Sequence, residues 1–293
     1  MIYIVRPGDS LYLIARRFGV TVQTLLDSNV ICNPNLIYPG QVLVIPQASL
    51  EIPKAGGTPY YVILPGDTLF CLARQFNTST QILAQANRIP DPNLIFAGSE
   101  LLIAYDIPDP RELQILWEQT ALNCDILTSL QIYGIYYLGT FQWEAIGQKA
   151  IPYLGILAVN PCSIVRYYAI ISLGRIALNG ESRRILTNAL QDPDPIVVQL
   201  TRLALSRLDY VRTNRRIHVT ISDTQLYSQP FLDTPYITLP PGTAIIVERW
   251  YIPSPIGEDF PPAGLAVWDY VRVIATGQTG FLLRVGYNQT LLI

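Results

Sequence analysis

The sequence predicts a multidomain α+β protein, because three stretches of the chain follow three different patterns. The first stretch contains two copies of one short pattern in which strands flank helices. The middle stretch repeats an amphipathic helical pattern, and the last alternates β-branched and aromatic runs with proline and glycine turns. A chain of 293 residues is long enough for two or three domains.

An internal repeat occupies the N-terminal third of the chain. Residues 3–46 align with residues 61–104 without a gap, and 19 of the 44 aligned positions are identical. Each copy begins with a β-branched and aromatic run, turns at Pro-Gly, continues through two short amphipathic segments and ends in a second apolar run. This order predicts a βααβ unit, with a two-stranded sheet and both helices on one face.

The motifs of both copies resemble the LysM family. They are YIVRPGDSLYLIARRFGVTVQTLL with NPNLIYPGQVLVIP, and YVILPGDTLFCLARQFNTSTQIL with DPNLIFAGSELLIA. The resemblance predicts LysM modules at residues 1–47 and 60–105, joined by a linker at 48–59. It implies non-catalytic binding of polymers that contain N-acetylglucosamine, of the peptidoglycan or chitin type. The resemblance also implies a shallow binding groove between the loop that enters the first helix and the loop that leaves the second.

Two four-residue loops form the predicted glycan-binding groove of each copy. The first groove comprises Gly8, Asp9, Ser10, Leu11, Asn35, Leu36, Ile37 and Tyr38. The second groove comprises Gly66, Asp67, Thr68, Leu69, Asn93, Leu94, Ile95 and Phe96. Backbone amides and carbonyls of such loops can bond an acetamido group, while apolar side chains cover its methyl group. The same positions also have structural explanations, with the aspartates as helix caps, the glycines as turn residues and the two early leucines as core.

The second copy departs from the family pattern at Ala97-Gly98-Ser99, where Pro-Gly-Gln is usual. We therefore expect the first copy to be the stronger glycan site. Tandem copies raise the apparent affinity for a polymer through effective concentration, even where each copy binds weakly. The linker at 48–59 contains proline and glycine and is expected to be semi-flexible, which permits this effect.

Residues 111–210 are predicted to be helical. The stretch NPCSIVRYYAIISLGRI at 160–176 aligns with DPDPIVVQLTRLALSRL at 192–208, and in both a proline precedes an amphipathic run, as at a helix start. The pattern resembles HEAT-like repeats, which implies paired helices stacked into a short solenoid. A protein-contact surface and a simple spacer between the two ends of the chain are equally open.

Residues 216–293 contain about five predicted strands. The segments LYSQPFLDTPYITLPPGTAIIVERW and WDYVRVIATGQTGFL resemble bacterial SH3-like domains, which implies a small all-β barrel. A proline-rich insertion at 252–266 departs from that pattern. The aromatic residues of this stretch either line a peptide groove or fill the barrel core, and they are Trp250, Trp268, Tyr270 and Phe281.

Composition narrows the partners. Charged residues make up 14% of the chain, against about 25% in an average soluble domain, and 18 tyrosines accompany them. Such a chain hides its apolar area either in a larger interior or in contacts with identical copies or other envelope proteins, and the composition favours self-association. The net charge of −2 and the scattered arginines exclude nucleic acid as an expected partner, and no apolar run of about 20 residues predicts a membrane span.

The first residues show no secretory signal pattern, so the sequence predicts synthesis in the cytoplasm and a place in a spore envelope, cell wall or cell surface. The four cysteines show no CxxC spacing. They are therefore expected to be buried free thiols of a protein folded in a reducing cytoplasm. They are Cys32, Cys71, Cys124 and Cys162.

Catalytic chemistry is not expected. His218 is the single histidine, which excludes a multi-histidine zinc site, and no catalytic residue, metal or cofactor is predicted. The leading hypothesis is a structural, self-assembling envelope, wall or surface-filament protein that is not an enzyme. One alternative is a peptidoglycan-remodelling hydrolase whose site lies in the middle domain, and another is an adaptor whose LysM modules no longer bind glycan. The carboxylates of the middle segment that could serve such a hydrolase are Glu112, Glu118, Glu144 and Glu181.

Overall fold

A computed structural model describes residues 2–46, 54–55, 59–176, 180–210, 215–257, 266–284 and 290–292. The chain forms two compact units. The first comprises Met1–Thr80, Asp91–Ile103 and His218–Leu292, and the second comprises Gln81–Pro90 and Ala104–Ile217. Most of the predicted linker and residues 258–265 of the predicted proline-rich insertion lie outside the described residues.

The first βααβ copy has the predicted element order. Its elements are β1 (Ile2–Ile4), α1 (Leu11–Phe18), α2 (Val22–Ser28) and β2 (Val42–Val44). The two strands pair antiparallel, and α1 ends at Gly19, whose left-handed φ of 67° favours glycine. The apolar side chains of strands and helices share one core, made of Tyr3, Val5, Leu11, Ile14, Ala15, Leu25, Leu43 and Ile45.

Asn29 ties the end of α2 to β2 inside the first copy. Its buried side-chain amide donates to the carbonyls of Leu25 at 2.8 Å and Val44 at 2.7 Å. Its Oδ1 accepts from the Val44 N–H at 2.6 Å. The side chain thereby satisfies three backbone groups that would otherwise be buried without partners.

The second copy repeats the order with β4 (Tyr60–Val62), α3 (Leu69–Gln75), α4 (Thr80–Ala86) and β5 (Glu100–Leu102). Strand β4 pairs antiparallel with β5 and, on its other edge, with the short β3 (Lys54–Ala55). The sheet therefore has three strands, one more than predicted, and the extra strand comes from the region predicted as a linker. Residues 81–90, which include most of α4, belong to the second compact unit.

All four cysteines form disulfides, so the prediction of buried free thiols is wrong. Cys32 pairs with Cys71, and Cys124 pairs with Cys162. Their partners are 39 and 38 residues apart, a separation at which only tertiary structure shows which residues meet. Disulfides persist in oxidising compartments, so these two bonds argue against the predicted reducing environment.

The middle of the chain is helical, as predicted. Its helices are α5 (Pro110–Ala121), α6 (Ser129–Gln131), α7 (Leu138–Ile146), α8 (Ile151–Leu157), α9 (Ser163–Ile176), α10 (Gly180–Ala189) and α11 (Pro195–Tyr210). A π-helical turn, Ile132–Tyr137, links α6 to α7. Within the described ranges, no helix is both long enough and apolar enough to cross a bilayer.

An aromatic cluster lies at the centre of the helical core. The Trp117 ring makes edge contacts with Tyr136 at 5.1 Å and Trp143 at 5.8 Å between ring centroids. Gly139 approaches the indole so closely that a Cβ there would lie 2.8 Å from its nitrogen. Helices α9 and α11, which cover most of the two aligned stretches 160–176 and 192–208, pack on each other. The HEAT-like assignment stays a prediction.

The C-terminal part of the chain contributes a seven-stranded sheet in the order β12-β6-β9-β10-β11-β7-β8. The strands are β6 (Ile217–Thr220), β7 (Thr224–Tyr227), β8 (Tyr236–Leu239), β9 (Ala244–Pro253), β10 (Val267–Val273), β11 (Thr279–Leu283) and β12 (Thr290–Leu292). A β-rich C-terminal part is as predicted, and the SH3-like assignment stays a prediction.

A buried ion pair stabilises the middle of this sheet. Arg284 donates to Asp269 at 2.7 Å and to the Tyr251 hydroxyl at 2.8 Å. The Asp269 carboxylate also accepts from the Tyr251 N–H at 2.9 Å. These bonds hold Tyr251 at a φ of 56°, a left-handed conformation that a tyrosine rarely adopts. Polar contacts therefore support the irregular pairing of β9 with β10 next to this residue.

The role of Asn29 leads to a stability prediction. We expect Asn29→Ala to destabilise the first copy by about 1–3 kcal/mol, because Val44 N–H and two carbonyls lose their buried partner. Hydrogen exchange of the Val44 amide in the full chain should accelerate about 10- to 100-fold. Ser28→Ala is the matched control, since Ser28 bonds only the Thr24 carbonyl of its own helix. Equal protection in both variants would contradict the assigned role.

Candidate functional site

Asp9 stands where β1, the Pro-Gly turn and α1 meet. Its carboxylate accepts hydrogen bonds from the Tyr3 hydroxyl and, at 2.8 Å, from the Arg6 backbone N–H. Arg17 lies 3.7 Å from the carboxylate and donates to the Tyr3 hydroxyl at 2.6 Å. Burial raises the pKa of Asp9, but the bonds from Tyr3 and Arg6 and the positive charges outweigh it, so the pKa is lowered.

Asp67 occupies the same position in the second copy. Its carboxylate accepts from the Tyr61 hydroxyl at 2.8 Å and from the Leu64 N–H at 2.7 Å. Burial dominates here and raises the pKa of Asp67 to about 6, although both hydrogen bonds act in the opposite direction. The carboxyl group therefore changes its charge close to neutral pH.

The two carboxyl groups differ because burial acts more strongly on Asp67 and because the second copy lacks the cations of the first. Leu64 and Gln75 take the positions of Arg6 and Arg17. Without a guanidinium nearby, little offsets the desolvation of Asp67. Two loops of the same geometry therefore present carboxyl groups with opposite pKa shifts.

Neither of these aspartates caps a helix, so that structural explanation is wrong. The cap of α1 is Ser10, whose hydroxyl accepts from the Leu13 N–H at 3.3 Å. The cap of α3 is Thr68, whose hydroxyl accepts from the Cys71 N–H at 3.2 Å. The aspartate carboxylates instead accept hydrogen bonds from residues that precede them, in the turn and in the first strand. These bonds fix the shape of the loop that enters the helix.

The second loop of each predicted groove begins with a local side-chain turn. In the first copy, the Asn33 side chain accepts from the Asn35 N–H at 3.0 Å. In the second, the Asp91 side chain accepts from the Asn93 N–H at 2.9 Å. These bonds shape both loops in the same way, since Asn and Asp side chains favour such turns.

The departure at Ala97-Gly98-Ser99 removes one support from the second loop. In the first copy, the Gln41 side chain accepts from the Tyr38 N–H at 3.1 Å. Ser99 takes the position of Gln41 and has a shorter side chain. The loss of this bond gives a physical reason for expecting the first copy to be the stronger site, which stays a prediction.

Exposure separates the predicted groove residues into two groups. Leu36, Tyr38, Leu94 and Phe96 are exposed, with 48%, 40%, 57% and 64% of their surface accessible. Leu11 and Leu69 are buried in the cores of their copies, and their side chains are not available to a ligand. The remaining predicted positions are exposed or half-buried, and they are Gly8, Asp9, Ser10, Asn35, Ile37, Gly66, Asp67, Thr68, Asn93 and Ile95.

Sequence reasoning overlooked one matched pair of surface residues. Tyr12 and Phe70 occupy equivalent positions in the first turns of α1 and α3, and both are largely exposed. Each directly follows the buried leucine that ends the entry loop. An aromatic residue at the same exposed position of both copies was the signal that could have identified them.

The structure also brings together two residues that were predicted to serve separate grooves. The Tyr38 ring of the first copy lies against Gly66 of the second. The disulfide between Cys32 and Cys71 joins the loop between α2 and β2 to the first turn of α3, next to the entry loop. A covalent bond and a ring contact therefore connect the two copies in addition to the linker.

Other candidate chemistry is buried or already paired. His218 is buried with its Nε2 3.4 Å from the Glu100 carboxylate. Glu144 is buried in an ion pair with Arg216 at 2.6 Å. Across the part of the chain that the structure describes, no group of three or more His, Cys, Asp or Glu side chains could hold a metal ion.

Comparison with known proteins identifies the two copies. The family model described as LysM domain matches residues 3–46 and 61–104. The chain therefore carries tandem LysM domains, as the sequence motifs predicted. The match covers neither the helical segment nor the C-terminal sheet.

Two relatives of the chain are named as an amidase and a glycosylase. The N-acetylmuramoyl-L-alanine amidase sle1 of Staphylococcus aureus is 26% identical over 141 residues, which are 45% of this chain and 42% of the amidase. A Bacillus subtilis protein named as a sporulation-specific glycosylase, YdhD, is 35% identical over 102 residues, 35% of this chain and 21% of that protein. The chain thus matches less than half the length of either relative.

Among solved structures, the spore cortex-lytic enzyme SleL of Bacillus megaterium QM B1551 aligns over 96% of this chain and 88% of its own. The TM-score is 0.20 and the identity 14%. The names of the relatives contradict the prediction that the chain is not an enzyme, because an amidase and a glycosylase point to hydrolysis. The same names favour the hydrolase alternative over the structural, self-assembling protein.

The opposite pKa shifts of the two aspartates lead to a pH prediction. The folded-state pKa of Asp67 is raised, so its contribution to stability is complete below its ordinary pKa and is lost as pH rises through about 6. The folded-state pKa of Asp9 is lowered, so its contribution is present above its ordinary pKa and is lost as the solution becomes more acidic. Carboxyl-carbon NMR titration of the full chain should therefore separate the two midpoints.

Swapping the cation tests the cause of this difference. Gln75→Arg should lower the pKa of Asp67, and Arg17→Gln should raise the pKa of Asp9. The same NMR titration measures both variants. If the titration midpoints of Asp9 and Asp67 do not change in these variants, or if they coincide in the wild type, the arginines do not set the charge of these loops.

Proposed function

We propose that the tandem LysM domains bind peptidoglycan-type glycan and place the chain on a wall or spore-cortex polymer. The observation that supports this proposal most directly is the family match of both copies, which covers every residue of both predicted grooves. Both copies also present the same pair of loops on the same scaffold. A chitin-type polymer shares the N-acetylglucosamine unit and is the second glycan to test.

The loops suit a neutral sugar polymer. Exposed apolar side chains at Leu36, Tyr38, Leu94 and Phe96 provide surfaces on which a sugar ring or an acetamido methyl group can pack. Backbone groups of the entry loops supply hydrogen bonds, and Asp9 and Asp67 hold those loops in place. The binding proposal therefore assigns contact to the exposed residues and positioning to the two aspartates.

Retention on insoluble peptidoglycan tests the binding proposal. We expect the double variants Leu36→Ala with Tyr38→Ala, and Leu94→Ala with Phe96→Ala, to weaken binding about tenfold or more, because they remove central apolar contacts. Leu122→Ala with Leu130→Ala is the matched control, since both leucines are strongly exposed on the helical segment. A wild-type chain that is not retained would support the adaptor alternative instead.

We further propose that the chain takes part in hydrolysis of the glycan it binds. The names of the relatives support this role, and the helical unit contains a cavity of about 810 Å³. Glu181 and Asp192 both line it, and Arg166 holds Asp192 through bonds of 2.7 and 2.9 Å. Burial raises the pKa of Asp192, but these bonds outweigh it and the pKa is lowered.

Glu181 is the best-placed acid of the four middle-domain carboxylates considered from sequence. Glu144 is buried in its ion pair, and Glu118 accepts a hydrogen bond from Gln114 at 2.9 Å. Glu181 lies in the first turn of α10 and faces the cavity together with Arg184. A carboxyl group beside a cavity can serve as general acid or base in hydrolysis.

Turbidity loss of purified peptidoglycan measures the hydrolytic proposal. The wild-type chain should clear the suspension, and Glu181→Gln should slow clearing by about 100-fold, the usual scale for loss of a general acid or base. Glu112→Gln is the control, because Glu112 is exposed in the first turn of α5. Unchanged turbidity with the wild-type chain would overturn this role.

Self-association stays a prediction of the charge-poor composition, which sedimentation of the full chain tests separately.

A further inference from the structure

The two LysM domains meet through their predicted groove loops. Cys32 lies in the loop between α2 and β2 of the first domain, and Cys71 lies in the first turn of α3 of the second. Their disulfide brings the Cys32 sulfur to 4.0 Å from the Thr68 hydroxyl, which belongs to the entry loop of the second groove. The exit loop of the first groove and the entry loop of the second are therefore neighbours.

Tyr38 and Gly66 form the closest approach between these loops. A Cβ built on Gly66 would lie 2.5 Å from the Tyr38 Cε2 and 3.0 Å from its Cδ2, so the ring rests on the glycine backbone. The φ of Gly66 is 91°, a left-handed conformation that also favours glycine. Gly8, the equivalent residue of the first domain, has a φ of 86° and no heavy atom within 4 Å of such a Cβ.

The two domains contribute different, non-equivalent loops to this contact. Pro90 and Leu13 occupy the positions that correspond to Cys32 and Cys71, so the repeat does not contain a second cysteine pair of this kind. Phe96 corresponds to Tyr38 and is more exposed, at 64% against 40%. The first domain thus contributes its exit loop to the surface that begins the groove of the second domain.

We propose that the Cys32–Cys71 disulfide joins the two grooves into one glycan-binding surface, in which Tyr38 is shared by both. This inference rests on the proposed function and adds the length of the ligand: the chain selects a glycan segment longer than one LysM domain covers. Two sites held in a fixed arrangement bind a long polymer more tightly than two sites on a flexible tether, because less freedom is lost on binding.

Tyr38 is suited to the shared position. One part of its ring rests on Gly66, while 40% of the side chain remains accessible beside Leu36 in the same loop. A ring that is held by its neighbour is already ordered before a sugar packs on it, which lowers the entropy cost of binding. A polymer crossing from the first groove to the second would pass this ring.

Binding of N-acetylglucosamine oligomers of increasing length to the full chain tests the proposal, with calorimetry as the readout. The wild-type affinity should increase with oligomer length beyond the range that one domain can contact. Cys32→Ser and Cys71→Ser should bind short oligomers like the wild type and bind the longest ones about tenfold or more weakly. Binding of short oligomers by these variants with the wild-type affinity and number of sites also shows that both domains remain folded.

A double-mutant cycle separates a shared residue from an ordinary contact. Tyr38→Ala should reduce the gain with length in the wild type and have a much smaller effect in the Cys32→Ser background, because the two changes remove the same connection. Phe96→Ala is the matched control, and its effect should be the same in both backgrounds. Cys124→Ser with Cys162→Ser controls for loss of a disulfide outside these loops.

The outcomes distinguish this inference from the proposed function. If the wild-type chain binds no oligomer of any length, glycan binding and the shared surface are both overturned. If it binds and the cysteine variants show the same dependence on length, only the shared surface is overturned. Free thiols at Cys32 and Cys71 in the unreduced wild-type chain, detected by mass spectrometry, would also overturn the shared surface.

Discussion

Cys32 and Cys71 are far apart in sequence, and their disulfide holds the α2–β2 loop of the first LysM domain next to helix α3 of the second. A linker of this composition would otherwise allow many relative orientations, and the two grooves would act as separate weak sites. With the disulfide in place, the Tyr38 ring rests on Gly66, and the exit loop of the first groove lies beside the entry loop of the second. The arrangement of the candidate site therefore depends on a covalent bond as much as on the folding of each domain.

The sequence predicts the LysM part of the fold well because its signals are local. Strand runs, the Pro-Gly turns and helical spacing predict βααβ, and the motifs of both copies resemble the LysM family, whose model matches them. The cysteine pairing was beyond such reasoning, since it joins one domain to the other. The opposite charge behaviour of Asp9 and Asp67 was also missed, although the exchange of Arg17 for Gln75 was visible in the aligned copies.

Function was predicted only in part, for a related reason. A binding motif is a contiguous pattern, whereas a catalytic group is identified by its surroundings in the folded chain. The sequence offered four middle-domain carboxylates of equal standing, and the structure separates a paired Glu144 from Glu181, which lines a cavity. Together with relatives named as an amidase and a glycosylase, this difference supports the proposed hydrolytic role over that of a structural building block.

Both LysM domains are proposed to engage one glycan as a single unit. Amide NMR of the full chain, titrated with a long N-acetylglucosamine oligomer, is the sharpest test of this proposal. We expect shifts in the loops around Asn35 and Tyr38 and around Gly66 and Thr68 with one common midpoint. Shifts with separate midpoints, or confined to one domain, would contradict it.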